Sequence, residues 1–318
     1  MDMALRTEPK ELAVGSRLER VLASGTFAVT AEIAPPASAD PAAVRRTASL
    51  FRAVADACNV TDCLRAHVKM SALAASAIAI QEGVEPIMQM VLRDRNRIAI
   101  QADLLGAHAL GVRNVLCLNG DAPRTGNEKD AAGVFDLTTR DMIETFRRLR
   151  EQGVLRGGDR VEVAPRVLIG AAADPFGGSP EESFANLRGK VSAGADFIQT
   201  QAIYDVEAFE EWMGLVRKEW LHERVKILAG VIPLRSAKAA RFMAEKVPGI
   251  RIPEDILERM ESAPDPRAEG LSIALRTIKA LRKIDGVHGV HIMAVNWEEA
   301  VPLLVKEAGL LPRPVSPK

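Results

Sequence analysis

The sequence is poor in aromatic residues, in cysteine and in net charge. Phe, Trp and Tyr together make up 4% of its 318 residues, with Tyr204 the single tyrosine. That is too thin for a platform on which nucleobases stack. Lys+Arg and Asp+Glu both number 42, a formal charge of zero, so no electrostatic grip on nucleic acid or on an anionic membrane is expected. The three cysteines, Cys58, Cys63 and Cys117, include no Cys-x-x-Cys pair. So sparse and odd a set suits a reducing compartment better than a disulfide framework. The opening "MDMALRTEPKELAVGSRLERVLASG" mixes charges with apolar residues and has no apolar stretch of the kind a secretory signal carries. No apolar run approaches the roughly 20 residues that span a bilayer. Together these absences predict a soluble, cytoplasmic protein that binds neither nucleic acid nor membrane.

What is present is apolar bulk and a repeating unit. Hydrophobic residues make up 47% and charged residues 26%, enough for a large core. Four segments share one grammar, a helix-compatible stretch, a glycine and a short apolar run: "GVEPIMQMV" from Gly83, "GVRNVLCL" from Gly111, "GADFIQTQ" from Gly194 and "GVHGVHIMAV" from Gly286. Glycine after a helix accepts the left-handed conformation that closes it. Apolar runs without alternation suit strands covered on both faces. Strands are predicted near 26–33, 56–61, 84–91, 113–118, 167–173, 196–201, 225–231 and 287–293. Helices are predicted between them, at 96–110, 138–152, 180–193, 205–219 and 235–246. Eight alternations point to a (β/α)8 TIM barrel, an α/β fold; a doubly wound sheet competes, but no Gly-x-Gly-x-x-Gly follows the first strand. Residues 253–283 add two helices before the last strand. Residues 1–312 are read as one barrel domain and 313–318 as a disordered tail.

Chemistry in such barrels sits at the C-terminal ends of the strands. Those ends carry Glu32, Thr61-Asp62, Arg93-Asp94, Asp121, Asp174, Gln201, Tyr204 and His291. Glu32 stands inside an apolar strand, where a carboxylate costs several kcal/mol unless it is used or paired. Asp62 and Asp174 suit caps of the following turns. His291 suits a hydrogen-bonded core or rim histidine, and without a companion His or Cys no metal site is expected. Asp121, in "NGDAP", has two readings: ordinary turn chemistry, or a carboxylate delivered into a site.

Those residues resemble the methylenetetrahydrofolate reductase family over roughly residues 20–312. "AEIAPP" resembles its Phe-Glu-Phe-Phe-Pro-Pro signature and "LNGDAP" its Leu-Arg-Gly-Asp-Xaa-Pro loop. "KVSAGADFIQTQAIYD" is similar to its Lys-Val-Asp-Ala-Gly-Ala segment, and "AGVIPLRSAKAARFM" with "VPGIRIPEDI" to its Pro-Gly-Ile-(Leu/Met)-Pro segment and the Val-Arg-Ile-Pro sequel. The resemblance implies reduction of 5,10-methylenetetrahydrofolate to 5-methyltetrahydrofolate, with a hydride passing from NADH or NADPH through FAD. It implies Glu32 as the general acid and Asp121 as the carboxylate that stabilises a cationic folate intermediate. Gln201 and Tyr204 would bind substrate, and Thr61, Asn119, Gly120, Asp121, Ala172, Asn186 and Lys190 would hold FAD. The chain departs from the family pattern at Ala31 and Ile33 beside the acid, at Ile87 in place of a flavin-contacting histidine, at Gly189 in place of an arginine, and at Ala237 in place of a stacking phenylalanine. The segment from Met88 to Asp121 resembles a divergent branch whose members can work with partner subunits, so a homo-oligomer or a partner subunit is also implied. Two other readings remain: a pterin-dependent methyl-transfer barrel, and a non-catalytic folate-binding subunit.

Overall fold

The computed structural model describes residues 14–247 and 249–314. Eight parallel strands close into a barrel in chain order: β1 (Ala28–Ile33), β2 (Ala57–Val60), β3 (Pro86–Val91), β4 (Asn114–Leu118), β5 (Leu168–Ala173), β6 (Phe197–Ala202), β7 (Lys226–Val231) and β8 (Val287–Ile292). β8 pairs with β1, with Thr30 beside His291. The closed circuit excludes the doubly wound alternative. Twelve α-helices are described: α1 (Arg17–Ala23), α2 (Ala42–Phe51), α3 (Ala72–Gln81), α4 (Arg97–Ala109), α5 (Thr139–Gln152), α6 (Pro180–Ala193), α7 (Val206–Lys218), α8 (Leu221–Arg224), α9 (Ala237–Lys246), α10 (Glu254–Ser262), α11 (Pro266–Leu281) and α12 (Ala300–Glu307). The inserted pair before the last strand is α10 and α11. Gly83, Gly111, Gly194 and Gly286 all have positive φ, as a glycine that closes a helix and releases a strand must.

α6 shows how local chemistry places a functional helix. Ser179 accepts from the Glu182 N–H, while the Glu182 carboxylate accepts from the Ser179 N–H. Pro180 opens the helix and Gly194, at φ 112°, ends it. Such a reciprocal cap contributes about 1 kcal/mol and fixes where the helix begins.

The barrel interior is layered. The floor is apolar: Ala28, Ala57, Ile87, Leu116, Leu168, Phe197 and Leu228 pack together, and α1 seals them from below with Leu18, Val21 and Leu22. Each large buried side chain there contributes about 1.5–3 kcal/mol relative to exposure. Gly170 belongs to the layer above because a Cβ on it would lie 2.2 Å from the Phe197 ring.

The N-terminal face is clipped by carboxylates. Asp56, just before β2, accepts from the Val29 N–H at 2.8 Å, and Asp196, before β6, accepts from the Ile169 N–H at 2.8 Å. Each ties a strand to its predecessor and pairs with an arginine, Arg313 for Asp56 and Arg150 for Asp196. Arg313 also donates to the Phe27 and Leu310 carbonyls at 2.9 Å. Disorder beginning at residue 313 therefore does not hold for Arg313, because a buried ion pair anchors it. Residues 315–318 of the expected tail lie outside the described residues.

Candidate functional site

Period-2 geometry decides which side chains the strands turn inward. On β1 the inward positions run Ala28, Thr30, Glu32, from the floor to the mouth. Glu32 is half-buried, its side chain 13% exposed, and among the described residues it makes no hydrogen bond. Across the seam stands His291 on β8, with Glu32 Oε2 3.9 Å from Nε2. Thr61 is buried just past β2. The neighbouring Asp62 accepts from the Val91 N–H at 3.0 Å and from Arg95 at 2.6 Å, which ties β2 to the end of β3.

After β4 the ladder continues, with the Leu92 and Arg93 N–H groups donating to the Leu118 and Asn119 carbonyls. The turn that follows presses on β3: a Cβ on Gly120 would lie 3.0 Å from that of Val91, and φ is +86°. The turn is closed by the N–H and hydroxyl of Thr125 on the Ala122 carbonyl. The Asp121 carboxylate takes no part, is exposed, and has no hydrogen-bond or ion-pair partner among the described residues. The plain turn reading asks for a carboxylate bonded to its own loop. Asp121 is not one.

β5 and β6 supply the far wall. Ala172 is half-buried, and its carbonyl accepts from Lys190 Nζ at 2.8 Å. Asp174 accepts instead from the N–H groups of Phe176 and Gly177, and burial raises its pKa. Lys190 and Asn186 stand one helical turn apart on α6. Lys190 is largely buried and forms no ion pair among the described residues. Desolvation, and then the nearby Arg140, lower its pKa, while Asp174 pulls it back up. A desolvated ammonium with one carbonyl partner is suited to an anion arriving from outside. Gln201 is half-buried, and its side-chain oxygen accepts from the Ala202 N–H at 3.1 Å.

The strand ends thus bring Glu32, Thr61, Asn119, Gly120, Asp121, Ala172 and Gln201 to one mouth, with Asn186 and Lys190 beside it on α6. Tyr204 is not among them. Its ring is buried between β6 and the α9–α10 layer, and its hydroxyl donates to the Ile232 carbonyl at 2.8 Å. Burial raises its pKa, and the packing with the bond to Ile232 makes it a core anchor away from the mouth. Ile87, where the resemblance expects a histidine, is likewise not at the mouth. It lies fully buried in the floor with Ala28 and Phe197, and Gln89 is the next inward residue above it.

Sequence reasoning missed two features. Thr30, Asn59 and Gln199 are buried and joined by hydrogen bonds below the mouth. Their signal was legible as polar residues two apart in apolar strands: Thr30 and Glu32, Asn59 and Thr61, Gln199 and Gln201. The second is Arg140. A Cβ on Gly189 would lie 2.4 Å from its guanidinium carbon, so a cation from α5 occupies the space that a side chain at 189 would need.

A family model described as methylenetetrahydrofolate reductase matches residues 17–309. Methylenetetrahydrofolate reductase 1 of Schizosaccharomyces pombe is 27% identical over 242 residues, covering 74% of this chain and 37% of its own. The 5,10-methylenetetrahydrofolate reductase of Pectobacterium carotovorum is 23% identical over 234 residues, 72% of each chain. The chain therefore spans little more than a third of the fungal relative and most of the bacterial one. Among solved structures, an uncharacterized protein from Clostridium thermocellum that binds two copies of 5-methyl-5,6,7,8-tetrahydrofolic acid has a TM-score of 0.62. It is 16% identical, covering 92% of this chain and 99% of that one, a likeness of fold.

Proposed function

This chain belongs to the methylenetetrahydrofolate reductase family, and from that premise we propose that it reduces 5,10-methylenetetrahydrofolate to 5-methyltetrahydrofolate with FAD and NADH or NADPH. The observation that carries the reading is a pair of carboxylates that make no hydrogen bond among the described residues, Glu32 on β1 and Asp121 after β4, on the mouth beside which Lys190 stands without an ion pair. The donor set fits a flavin: Gly120 and Ala172 offer low relief, Asn119 and Thr61 offer polar groups, and Lys190 with Arg140 offers positive charge for a pyrophosphate. Bound FAD supplies the hydride.

The chain's own residues do the rest. Opening the five-membered ring of the folate breaks a carbon–nitrogen bond, and the departing nitrogen needs a proton. Glu32, half-buried and without a hydrogen bond, is placed to deliver it. The same step leaves positive charge on the one-carbon unit, which the Asp121 carboxylate, carried on the rigid turn after β4, stabilises. Gln201 bonds the pterin edge through its free amide hydrogens. Asn186 and Lys190 orient the cofactor's polar tail from α6.

The visible spectrum of the purified protein tests this. A flavin spectrum bleached by NADH or NADPH and restored by methylenetetrahydrofolate is the expected result. A colourless protein that takes up no added FAD would overturn it, and folate binding without bleaching would favour a non-catalytic subunit. Methyl transfer without flavin would favour the pterin-dependent barrel.

A further inference from the structure

One layer below Glu32 the barrel holds a closed polar circuit. Asn59 on β2 and Gln199 on β6 pair as amides: Asn59 Nδ2 donates to Gln199 Oε1 at 2.7 Å, and Gln199 Nε2 donates to Asn59 Oδ1 at 3.0 Å. Each amide nitrogen has a second hydrogen. That of Gln199 goes to Thr30 Oγ1 at 3.2 Å, and that of Asn59 faces His291 Nε2 at 3.4 Å. Thr30 Oγ1 also lies 3.0 Å from His291 Nδ1 and 3.4 Å from the Val290 carbonyl. All four residues are at most 3% exposed, so no bulk water completes the count.

For a neutral ring, counting hydrogens decides the tautomer. The free Asn59 hydrogen needs an acceptor, so Nε2 carries a lone pair. A neutral ring then has its hydrogen on Nδ1 and donates to Thr30 Oγ1. Thr30 accepts from both Gln199 and His291 and gives its own proton to the Val290 carbonyl. Every donor is used. Reversing one amide alone sets oxygen against oxygen across the pair. Reversing both makes Nε2 the donor to Asn59 and leaves the one Thr30 proton to serve both Gln199 Oε1 and His291 Nδ1. With a neutral ring that arrangement is one proton short.

We propose that this circuit locks His291 as the neutral Nδ1–H tautomer, and that its Nε2 lone pair accepts the carboxylic proton of Glu32, making His291 the positioning residue for the acid. Glu32 Oε2 is 3.9 Å from Nε2, about 1 Å beyond a hydrogen bond, and a turn of its terminal torsion or one bridging water closes the gap. The Asn59 contact, at 3.4 Å, is long, so the Nε2 lone pair is shared between that amide hydrogen and the acid's proton rather than given up by the amide. Because Nε2 offers a lone pair and no N–H, Glu32 can bond to it only as the acid. Once Glu32 has given its proton away, the remaining carboxylate faces a lone pair and regains a proton from solvent before it can bond again. The role of Glu32 as acid rests on the function proposed above. The tautomer of His291 does not.

Two measurements test this. In protein labelled with 15N-histidine, long-range proton–nitrogen spectra report which ring nitrogen of each of the five histidines carries hydrogen. His291 is expected with Nδ1 protonated and Nε2 bare at neutral pH, and Glu32→Ala should move its Nε2 resonance. An Nε2–H ring, an imidazolium, or an Nε2 signal indifferent to Glu32→Ala overturns the proposal. The second is kinetic. His291→Leu should slow methylenetetrahydrofolate reduction about 10–100-fold, yet add no loss in a Glu32→Gln background. Equal losses in both backgrounds would show that His291 does not act through Glu32. If His291→Leu fails to fold, the wild-type spectrum and its Glu32→Ala counterpart decide alone. If the wild-type protein reduces no methylenetetrahydrofolate, the proposed function fails, and the same two spectra decide the inference independently.

Discussion

Replacing Lys190 with methionine should move stability and cofactor binding in opposite directions. The ammonium is largely buried, holds one carbonyl, Ala172, at 2.8 Å, and has no carboxylate partner among the described residues. Replacing even a buried ion pair by well-packed apolar residues is often neutral or stabilising by up to about 1–4 kcal/mol, and a buried ammonium without a carboxylate partner has less attraction to lose. The carbonyl bond retained by Lys190 puts the gain at the low end, about 1–2 kcal/mol, or a few degrees of melting temperature in a chain this long. The sign with pH follows. Desolvation lowers the lysine's pKa in the folded state, so the unfolded chain binds more protons below 10.5, and wild-type apoprotein gains stability as pH rises through that window. Lys190→Met should lack that slope. FAD binding should weaken, because a charge-assisted hydrogen bond contributes about 1.5–3 kcal/mol, roughly 10–150-fold in Kd. Calorimetry of the apoprotein and titration with FAD on the same preparation read both quantities. A variant that melts lower and binds FAD as tightly as before would refute the claim that this charge is held for an anion.

Other outcomes follow from the same geometry. Asp121→Asn should leave the melting temperature nearly unchanged, since its carboxylate closes no turn, while folate reduction slows by roughly 3–4 kcal/mol of transition-state stabilisation; unaltered stopped-flow rates would return Asp121 to a surface role. His288, whose Nδ1 accepts from the Ile227 N–H, is pushed down to about 4 by burial and then by Lys226. Its folded form binds fewer protons than the unfolded one between about 4 and 6.5, so stability falls as pH drops through that window. The full shift corresponds to about 3 kcal/mol, reduced to about 1–2 by partial exposure, and His288→Gln should flatten the pH–melting curve. Tyr204→Phe should cost about 1 kcal/mol of stability through the lost bond to Ile232, with KM for folate unchanged; a raised KM would restore it to the site.

The barrel was legible because glycine and apolar runs announce each strand locally. The eighth, expected at 287–293, runs from Val287 to Ile292. Glu32 was legible for a related reason: a carboxylate inside an apolar strand has few places to go. Tyr204 was not, because it follows the end of β6 at Ala202, where the period-2 rule no longer fixes the side chain's direction. Ile87 failed through depth. Alignment supplies a position along a strand but not its layer, and only the packed floor shows that Ile87 lies beneath the site. The amide pair joins residues 140 apart, and Arg140 reaches Gly189 from another helix. Local pattern marks Asn59 and Gln199 as polar positions in apolar strands, but at that range it does not tell which residues meet.

The seam between β1 and β8 has a temporal meaning. Thr30 and His291 meet across it although 261 residues separate them, a loop whose closure alone costs about 5 kcal/mol of chain entropy. Seven strands could zip in sequence and still lack the histidine that faces Glu32. A nascent or partly opened barrel would therefore present its carboxylates without an acceptor for the acid's proton, and would bind before it could react. On the function and positioning role proposed above, competence to deliver a proton would be a property of the finished circle, acquired at the moment its two ends meet.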